Sequence, residues 1–116
     1  MNKIAELRPY QKKVTLLVKV AEKMEPREVT SRLDNSNHKV AEALVADDSG
    51  SILLTLWDDT IDSLEEGKNY ELENAYTSLF KSSLRINLGR YGSLKESKEK
   101  IEANTENNIS EKEMQA

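Results

Sequence analysis

The stretch SILLTLWDD, residues 51–59, has the alternation of a half-buried β-strand and contains the only tryptophan of the chain. Successive side chains of a strand point to opposite faces, so its aliphatic residues share one face and predict a core-facing surface. These residues are Ile52, Leu54 and Leu56. Trp57 falls on the other face together with Thr55, which is polar. We therefore expect the indole ring of Trp57 to lie outside the core, at the end of a strand.

Four other segments have the same period of two and predict strands. They are residues 14–20, 38–47, 68–76 and 83–89. The sequence DDSG, residues 47–50, is typical of the tight turn of a hairpin. The sequence DDTIDSLEEG, residues 58–67, predicts a short helix with Asp58 or Asp59 as its N-cap and Gly67 at its end. The polar residues 26–37 predict a loop or an irregular hairpin.

Five strands in under 100 residues, with one short helix between the third and the fourth, predict an all-β fold. That order is typical of the five-stranded OB-fold barrel. An SH3-like barrel or a small sandwich also uses five or more strands, but the position of the helix favours the OB-fold.

The distribution of charge divides the chain into two parts. Its 116 residues have a formal net charge of −4, so any basic surface has to be local. Residues 97–116 contain three lysines and five glutamates and few apolar side chains. Such a segment cannot bury enough surface to offset its ordering entropy. We expect an OB-fold domain over residues 1–96 and a disordered acidic tail over 97–116, available to protein partners.

Several functional classes have no support in the sequence. The absence of cysteine excludes disulfides and thiolate metal sites, and agrees with a cytoplasmic protein. No segment approaches the roughly 18 apolar residues of a membrane span. The single histidine, His38, has no nucleophile pattern around it, and the paired aspartates belong to a turn and a helix start. We expect a binding protein that has no catalytic residues, metal or cofactor.

Further aromatic and basic residues occur between the fourth and fifth predicted strands and on the fifth strand. Tyr76 and Phe80, the only phenylalanine, are four residues apart in ENAYTSLFKSS. On the fifth strand the alternation directs Arg85 and Asn87 outward, and Lys81 lies just before it. In an OB barrel the second, third and fifth strands present neighbouring parts of one concave surface, so Arg85 and Lys81 are expected to supply cations near Trp57.

Residues 4–94 resemble the single-OB single-stranded DNA-binding proteins of archaea, which are related to replication protein A. The similarity is carried by LTLW at 54–57, ENAY at 73–76, the acidic-Gly turn, the EEG end of the helix and the N-terminal sequence Leu7-Arg8-Pro9. The resemblance implies that Trp57, Tyr76 and Phe80 stack on bases. This chain has Tyr76 where the family often has tryptophan, and it has an acidic tail where some members have a Gly- and Arg-rich one.

The sequence and the resemblance together predict sequence-tolerant binding of single-stranded DNA in replication, recombination or repair. The candidate nucleic-acid-binding residues are Trp57, Tyr76, Phe80, Arg27, Arg32, Lys39, Thr55, Lys81, Arg85, Asn87 and Arg90. Two alternatives stay open at this point. One is an OB-fold subunit that docks on other proteins of a replication protein A-like complex, and the other is binding of RNA.

Overall fold

The computed structural model describes residues 1–112 of the chain. It contains seven β-strands and three short 3-10 helices. The strands are β1 Val14–Lys23, β2 Arg27–Thr30, β3 Asn37–Ala46, β4 Ser51–Trp57, β5 Asn69–Phe80, β6 Ser83–Asn87 and β7 Ser93–Ser97. The 3-10 helices are η1 Ile4–Glu6, η2 Asp58–Ser63 and η3 Ile109–Glu111. Within residues 1–112 no helix has the length and apolar composition needed to cross a membrane.

Five of the strands form a closed barrel. The sheet order is β1-β3-β4-β6-β5, and β5 also pairs with β1, which closes the ring. All pairs are antiparallel except β4 with β6. These are the five strands that the alternation predicts, with η2 between the third and the fourth. The prediction of an OB-fold barrel is therefore confirmed.

Alternation of apolar and polar residues directs the strands around one core. Along β1 the even positions face the core, and Val14, Leu16, Val18 and Val20 are fully buried. The turn at residues 47–50 is also confirmed, since the Asp47 amide donates to the Gly50 carbonyl over 2.9 Å. This turn pairs Ala46 with Ser51 and so fixes which residues of β3 and β4 lie opposite each other.

The structure adds two strands and changes the account of the helix. The irregular segment after β1 contains β2, which pairs with the first half of β3, and β7 pairs with the first half of β5. The helix is a 3-10 helix whose N-cap position is occupied by Trp57, without a side-chain cap. The prediction that Asp58 or Asp59 caps it is wrong, because the Asp58 carboxylate accepts instead from Lys39 and His38. Gly67 lies beyond the helix in a separate turn at φ 87°.

The described part of the predicted tail packs on the barrel, which corrects the expectation that it has no part in the core. Ile109 is 3% exposed and belongs to the core cluster. The adjacent Ser110 hydroxyl accepts from the Leu53 amide over 2.9 Å and donates to the Leu84 carbonyl. The segment thus fills the gap between the starts of β4 and β6. Residues 113–116 lie outside the described residues.

Candidate nucleic-acid interface

A β-bulge in β5 determines which side chains reach the outer surface. Leu16 pairs with Leu72 and Val14 with Ala75, so β5 has one extra residue between these pairs. Asn74 lies at the bulge with φ 54°, a left-handed conformation that asparagine tolerates better than most residues. The extra residue reverses the alternation along β5. Before the bulge the even positions are buried, and after it the odd positions are.

The reversal places three outward side chains on the second half of β5. These are Tyr76, Ser78 and Phe80. Neighbouring strands contribute the residues that lie opposite them: Tyr76 pairs with Asn87, Ser78 with Arg85 and Phe80 with Ser83. The prediction that Arg85 and Asn87 point away from the core is confirmed, since the alternate residues Leu84 and Ile86 are fully buried.

Trp57 lies on the same outer surface. Ile52, Leu54 and Leu56 are buried as predicted, whereas the Trp57 side chain is 49% exposed at the end of β4. Thr55 pairs with Asn87 of β6 and connects the Trp57 side of the surface to the β5 side. The three aromatic rings have similar exposure, since Tyr76 is 41% and Phe80 50% exposed. Half-buried rings of this kind are held in place and still present a face to solvent.

The aromatic and polar residues surround a groove with a volume of about 360 Å³. We call it the central groove, and its lining residues come from five strands. They are Arg27, Val29, Val40, Glu42, Thr55, Trp57, Ser78, Leu79, Phe80, Arg85 and Asn87. A smaller hollow of about 170 Å³ separates Trp57 from Tyr76 and extends the groove toward Gly89.

Two of the rings are oriented by close contacts. A Cβ atom on Gly89 would lie 2.7 Å from Cε1 of Tyr76, so only a glycine allows the Tyr76 ring its present position. Gly89 also has φ 67°, which favours glycine. The Arg85 guanidinium lies 5.3 Å and the Lys81 ammonium 5.5 Å from the centre of the Phe80 ring. Both distances are within the range of a cation–π interaction.

The centre of the groove contains an ion-pair cluster of two arginines and one glutamate. Arg85 forms a close ion pair with Glu42, and Arg27 Nη1 lies 3.7 Å from the other carboxylate oxygen of Glu42. Arg85 Nε also donates to the Ser83 hydroxyl over 3.1 Å. Burial of the guanidinium, and to a smaller extent the charge of Arg27, lowers the pKa of Arg85. The cluster carries a net charge of only +1, so the floor of the groove is less basic than its arginines suggest.

A second polar network surrounds Asp58, the residue that follows Trp57. The Asp58 carboxylate accepts from the Lys39 amide over 3.0 Å and lies 2.9 Å from His38 Nδ1. His38 Nε2 lies 2.8 Å from the Ser36 hydroxyl. These contacts lower the pKa of Asp58, the Lys39 amide more than His38. They tie the β2–β3 turn to the residue that follows Trp57.

The structure brings together eight of the eleven residues predicted as candidates. Trp57, Phe80, Arg27, Thr55, Arg85 and Asn87 line the central groove, Tyr76 borders it, and Lys81 lies against Phe80. Arg32 lies in the exposed turn between β2 and β3, and Lys39 points to the opposite face from Val40. Arg90 lines a separate cleft beyond Tyr76.

Sequence reasoning missed Val40 and Glu42, although a signal for both was present. The turn at residues 47–50 pairs Ala46 with Ser51, and counting back along the hairpin places Val40 opposite Trp57 and Glu42 opposite Thr55. Across residues 1–112, no group of three or more histidine, cysteine, aspartate or glutamate side chains is arranged to hold a metal ion.

A closed five-stranded OB barrel with exposed aromatic rings and cations on one groove defines a class of nucleic-acid-binding domain. The family described as single-stranded DNA binding protein Ssb-like, OB fold, matches residues 7–96. The chain belongs to this family.

Individual relatives agree with this assignment. The chain is 33% identical over 98 residues to the single-stranded DNA binding protein Ssb of Saccharolobus solfataricus, covering 84% of this chain and 65% of that protein. The chain therefore spans just under two-thirds of the length of this curated relative. The solution structure of a hypothetical protein from Arabidopsis thaliana has a TM-score of 0.81 at 26% identity, covering 99% of this chain and 86% of that one.

The same fold occurs in a replication protein A domain. The second OB-fold domain of replication protein A from Methanococcus maripaludis has a TM-score of 0.68 at 24% identity and covers 87% of this chain and 98% of that domain. This similarity concerns the fold.

Proposed function

We propose that this chain binds single-stranded DNA without strong sequence preference, by stacking bases on Trp57, Tyr76 and Phe80. The observation that carries the proposal is the position of three half-exposed rings along one groove. The Saccharolobus relative, whose name describes a single-stranded DNA binding protein, supports the choice of ligand. Use in replication, recombination or repair is part of the proposal.

The chemistry of stacking explains the selectivity that we propose. Every base has a π-face, so an aromatic ring binds any base, with about 1–3 kcal/mol per stacked base. In a duplex those faces are covered by neighbouring base pairs. A groove that depends on rings is therefore selective for single strands without reading base edges.

The ion-pair cluster limits the contribution of phosphate contacts. Arg85 is engaged by Glu42 and by the Phe80 ring, and Arg27 shares the same carboxylate. The cations of the groove floor therefore hold the rings and the strands in place, and only part of their charge is available to phosphates. We expect log K to fall against log salt with a slope of roughly −2 to −3, at about −0.7 per phosphate contact.

The test uses Trp57 as an intrinsic probe, because it is the only indole in the chain. Addition of single-stranded DNA should quench its fluorescence, and duplex DNA of the same length should quench it far less. Titration with RNA of the same sequence measures whether the groove distinguishes the two nucleic acids.

A variant series then assigns the affinity to the rings. Phe80→Ala should weaken binding of a labelled oligonucleotide by about 5- to 150-fold, the range for one lost stack. Leu33→Ala is the control, because Leu33 is 99% exposed and lies outside the groove. If neither single-stranded DNA nor RNA quenches the fluorescence of Trp57, the proposal is wrong, and the aromatic groove would then be a surface for protein docking.

A further inference from the structure

A second cleft lies beyond Tyr76, on the side of that ring that faces away from Trp57. It has a volume of about 390 Å³ and is formed by the segment before β1, the bulge of β5 and the turn after β6. Its charged and aromatic lining residues are Lys12, Lys13, Tyr76, Arg90 and Tyr91. We call it the Tyr91 cleft.

The Tyr91 cleft adjoins the smaller hollow that extends the central groove. Tyr76 lines both the cleft and the hollow that it shares with Trp57. Leu88 and Gly89 also line both. A strand that stacks a base on Tyr76 therefore lies next to the cleft.

The aromatic ring of this cleft is well placed for a ligand. Tyr91 is 78% exposed, more than any of the three rings of the central groove. Its backbone is fixed, because the Asn74 side-chain amide donates to the Tyr91 carbonyl over 3.3 Å. The residue that creates the β5 bulge thus also holds the turn that presents Tyr91.

In the part of the chain that the structure describes, the cations of the cleft are not paired with carboxylates, unlike the two arginines of the central groove. Among residues 1–112, the ion pairs involve Lys3, Arg27, His38, Lys68 and Arg85. Lys12, Lys13 and Arg90 have no carboxylate within 4.0 Å in that part of the chain. No acidic residue lines the cleft. On a chain with a net charge of −4, this concentration of unpaired positive charge is complementary to phosphate.

We propose that a single DNA strand continues from Tyr76 into the Tyr91 cleft, where Tyr91 stacks a further base and Lys12, Lys13 and Arg90 contact phosphates. This inference rests on the function proposed above and extends it. The cleft supplies most of the phosphate contacts, and the central groove supplies most of the stacking. The binding site is therefore longer than the three rings of the central groove alone.

The experiment compares oligothymidylates of about 4 and about 12 nucleotides, which lie within the usual range for one OB fold. The full chain and the Tyr91→Ala variant are titrated with both. Tyr91→Ala should bind the short oligonucleotide as the unmodified chain does and the long one about 5- to 150-fold more weakly. Tyr91→Phe keeps the ring and should bind both lengths normally.

The salt dependence tests the cations separately. The double variant Lys12→Gln, Lys13→Gln should lower the magnitude of the salt slope by roughly 1.4 on the long oligonucleotide, at about 0.7 per lost contact. Its slope on the short one should not change. Lys95→Gln, Lys98→Gln is the control, because it removes the same charge from residues that do not line the cleft.

The outcomes separate this inference from the function on which it rests. Quenching of Trp57 by the short oligonucleotide reports the central groove alone. If that quenching is normal while Tyr91→Ala and the lysine variant bind the long oligonucleotide normally, the strand does not enter the cleft and the inference is wrong. Equal losses on both lengths would also overturn it, since Tyr91 would then act through Tyr76. Absence of quenching with either length would instead refute the proposed function.

Discussion

Substitution of Ile109 by alanine should destabilise the barrel, although this residue lies in a segment with the composition of a disordered tail. Its side chain is 3% exposed and packs in the core between the starts of β4 and β6. Burial of such a side chain contributes about 1.5–3 kcal/mol, and the cavity left behind adds to the loss. We expect Ile109→Ala to lower the free energy of unfolding by about 2–5 kcal/mol.

Truncation after Ser97 should cost more than the single substitution. It also removes the Ser110 hydroxyl, which accepts from the Leu53 amide and donates to the Leu84 carbonyl. Leaving such groups unpaired costs about 1–3 kcal/mol. The total, roughly 3–8 kcal/mol, is a large part of the 5–15 kcal/mol that stabilises a typical domain.

The measurement is urea denaturation followed by far-ultraviolet circular dichroism. With a slope near 2 kcal/mol per molar, Ile109→Ala should shift the midpoint by roughly 1 to 2.5 M. Ile101→Ala is the matched control, because Ile101 has the same side chain in the same segment but is only partly buried and lies outside the core cluster. It should shift the midpoint much less.

DNA binding offers an independent check on the same variant. Ile109 packs beside the first residues of β4, whereas Trp57 is the last residue of that strand. Under conditions where the variant is folded, its affinity for single-stranded DNA should be unchanged. Equal midpoints for the full chain, Ile109→Ala and the chain truncated after Ser97 would refute the reasoning, and residues 97–112 would then have no part in the core.

Three further predictions concern the site. Asn74→Val should destabilise the fold by about 1–2 kcal/mol in urea denaturation, because Asn74 has φ 54° and a β-branched residue is strained there, while Asn74→Gly should be tolerated; equal stability of the two would contradict the role of the bulge. Glu42→Gln should steepen the salt slope of DNA binding by about 0.7, since it frees one arginine charge, and an unchanged slope would mean that no phosphate approaches the cluster. The Lys39 amide and His38 lower the pKa of Asp58 from 3.8 in the folded state, so its stabilising contribution is complete above pH 3.8 and is lost as the pH falls through the lower folded-state value. Asp58→Asn should therefore reduce the loss of stability on acidification below pH 3.8, and parallel curves of unfolding free energy against pH would exclude the contribution.

Local alternation was sufficient to predict the barrel and the position of Trp57. The period of two identifies five strands, and the alternation along β4 is enough to place Trp57 and Leu54 on opposite faces of that strand. These features depend only on near neighbours in sequence. The same is true of the turn at residues 47–50.

The positions of Tyr76 and Phe80 could not be obtained in this way. Leu72 is buried, and an unbroken strand would place residues 76 and 80 on the same inward face. The extra residue at Asn74 changes which alternate residues of β5 face the core, and a bulge leaves no periodic signal in the sequence. Ile109 was missed for a related reason. The prediction of a disordered tail uses the average composition of 20 residues, whereas the burial of one side chain is enough to hold the segment against the barrel.

The charges of the central groove explain how a chain with a net charge of −4 can bind its proposed ligand mainly by stacking. Glu42 neutralises part of the charge of Arg27 and Arg85, so the groove under the rings gains little from counterion release. Three stacks at about 1–3 kcal/mol each supply roughly 3–9 kcal/mol. Loss of one ring should therefore weaken binding more than loss of one groove cation. In the Tyr91 cleft the loss of a ring and the loss of a cation should weaken binding more equally. Its lysines and arginine have no acidic partner in residues 1–112, so their full charge is available to phosphates. A strand that spans both sites would be held by its bases at one end and increasingly by its phosphates at the other.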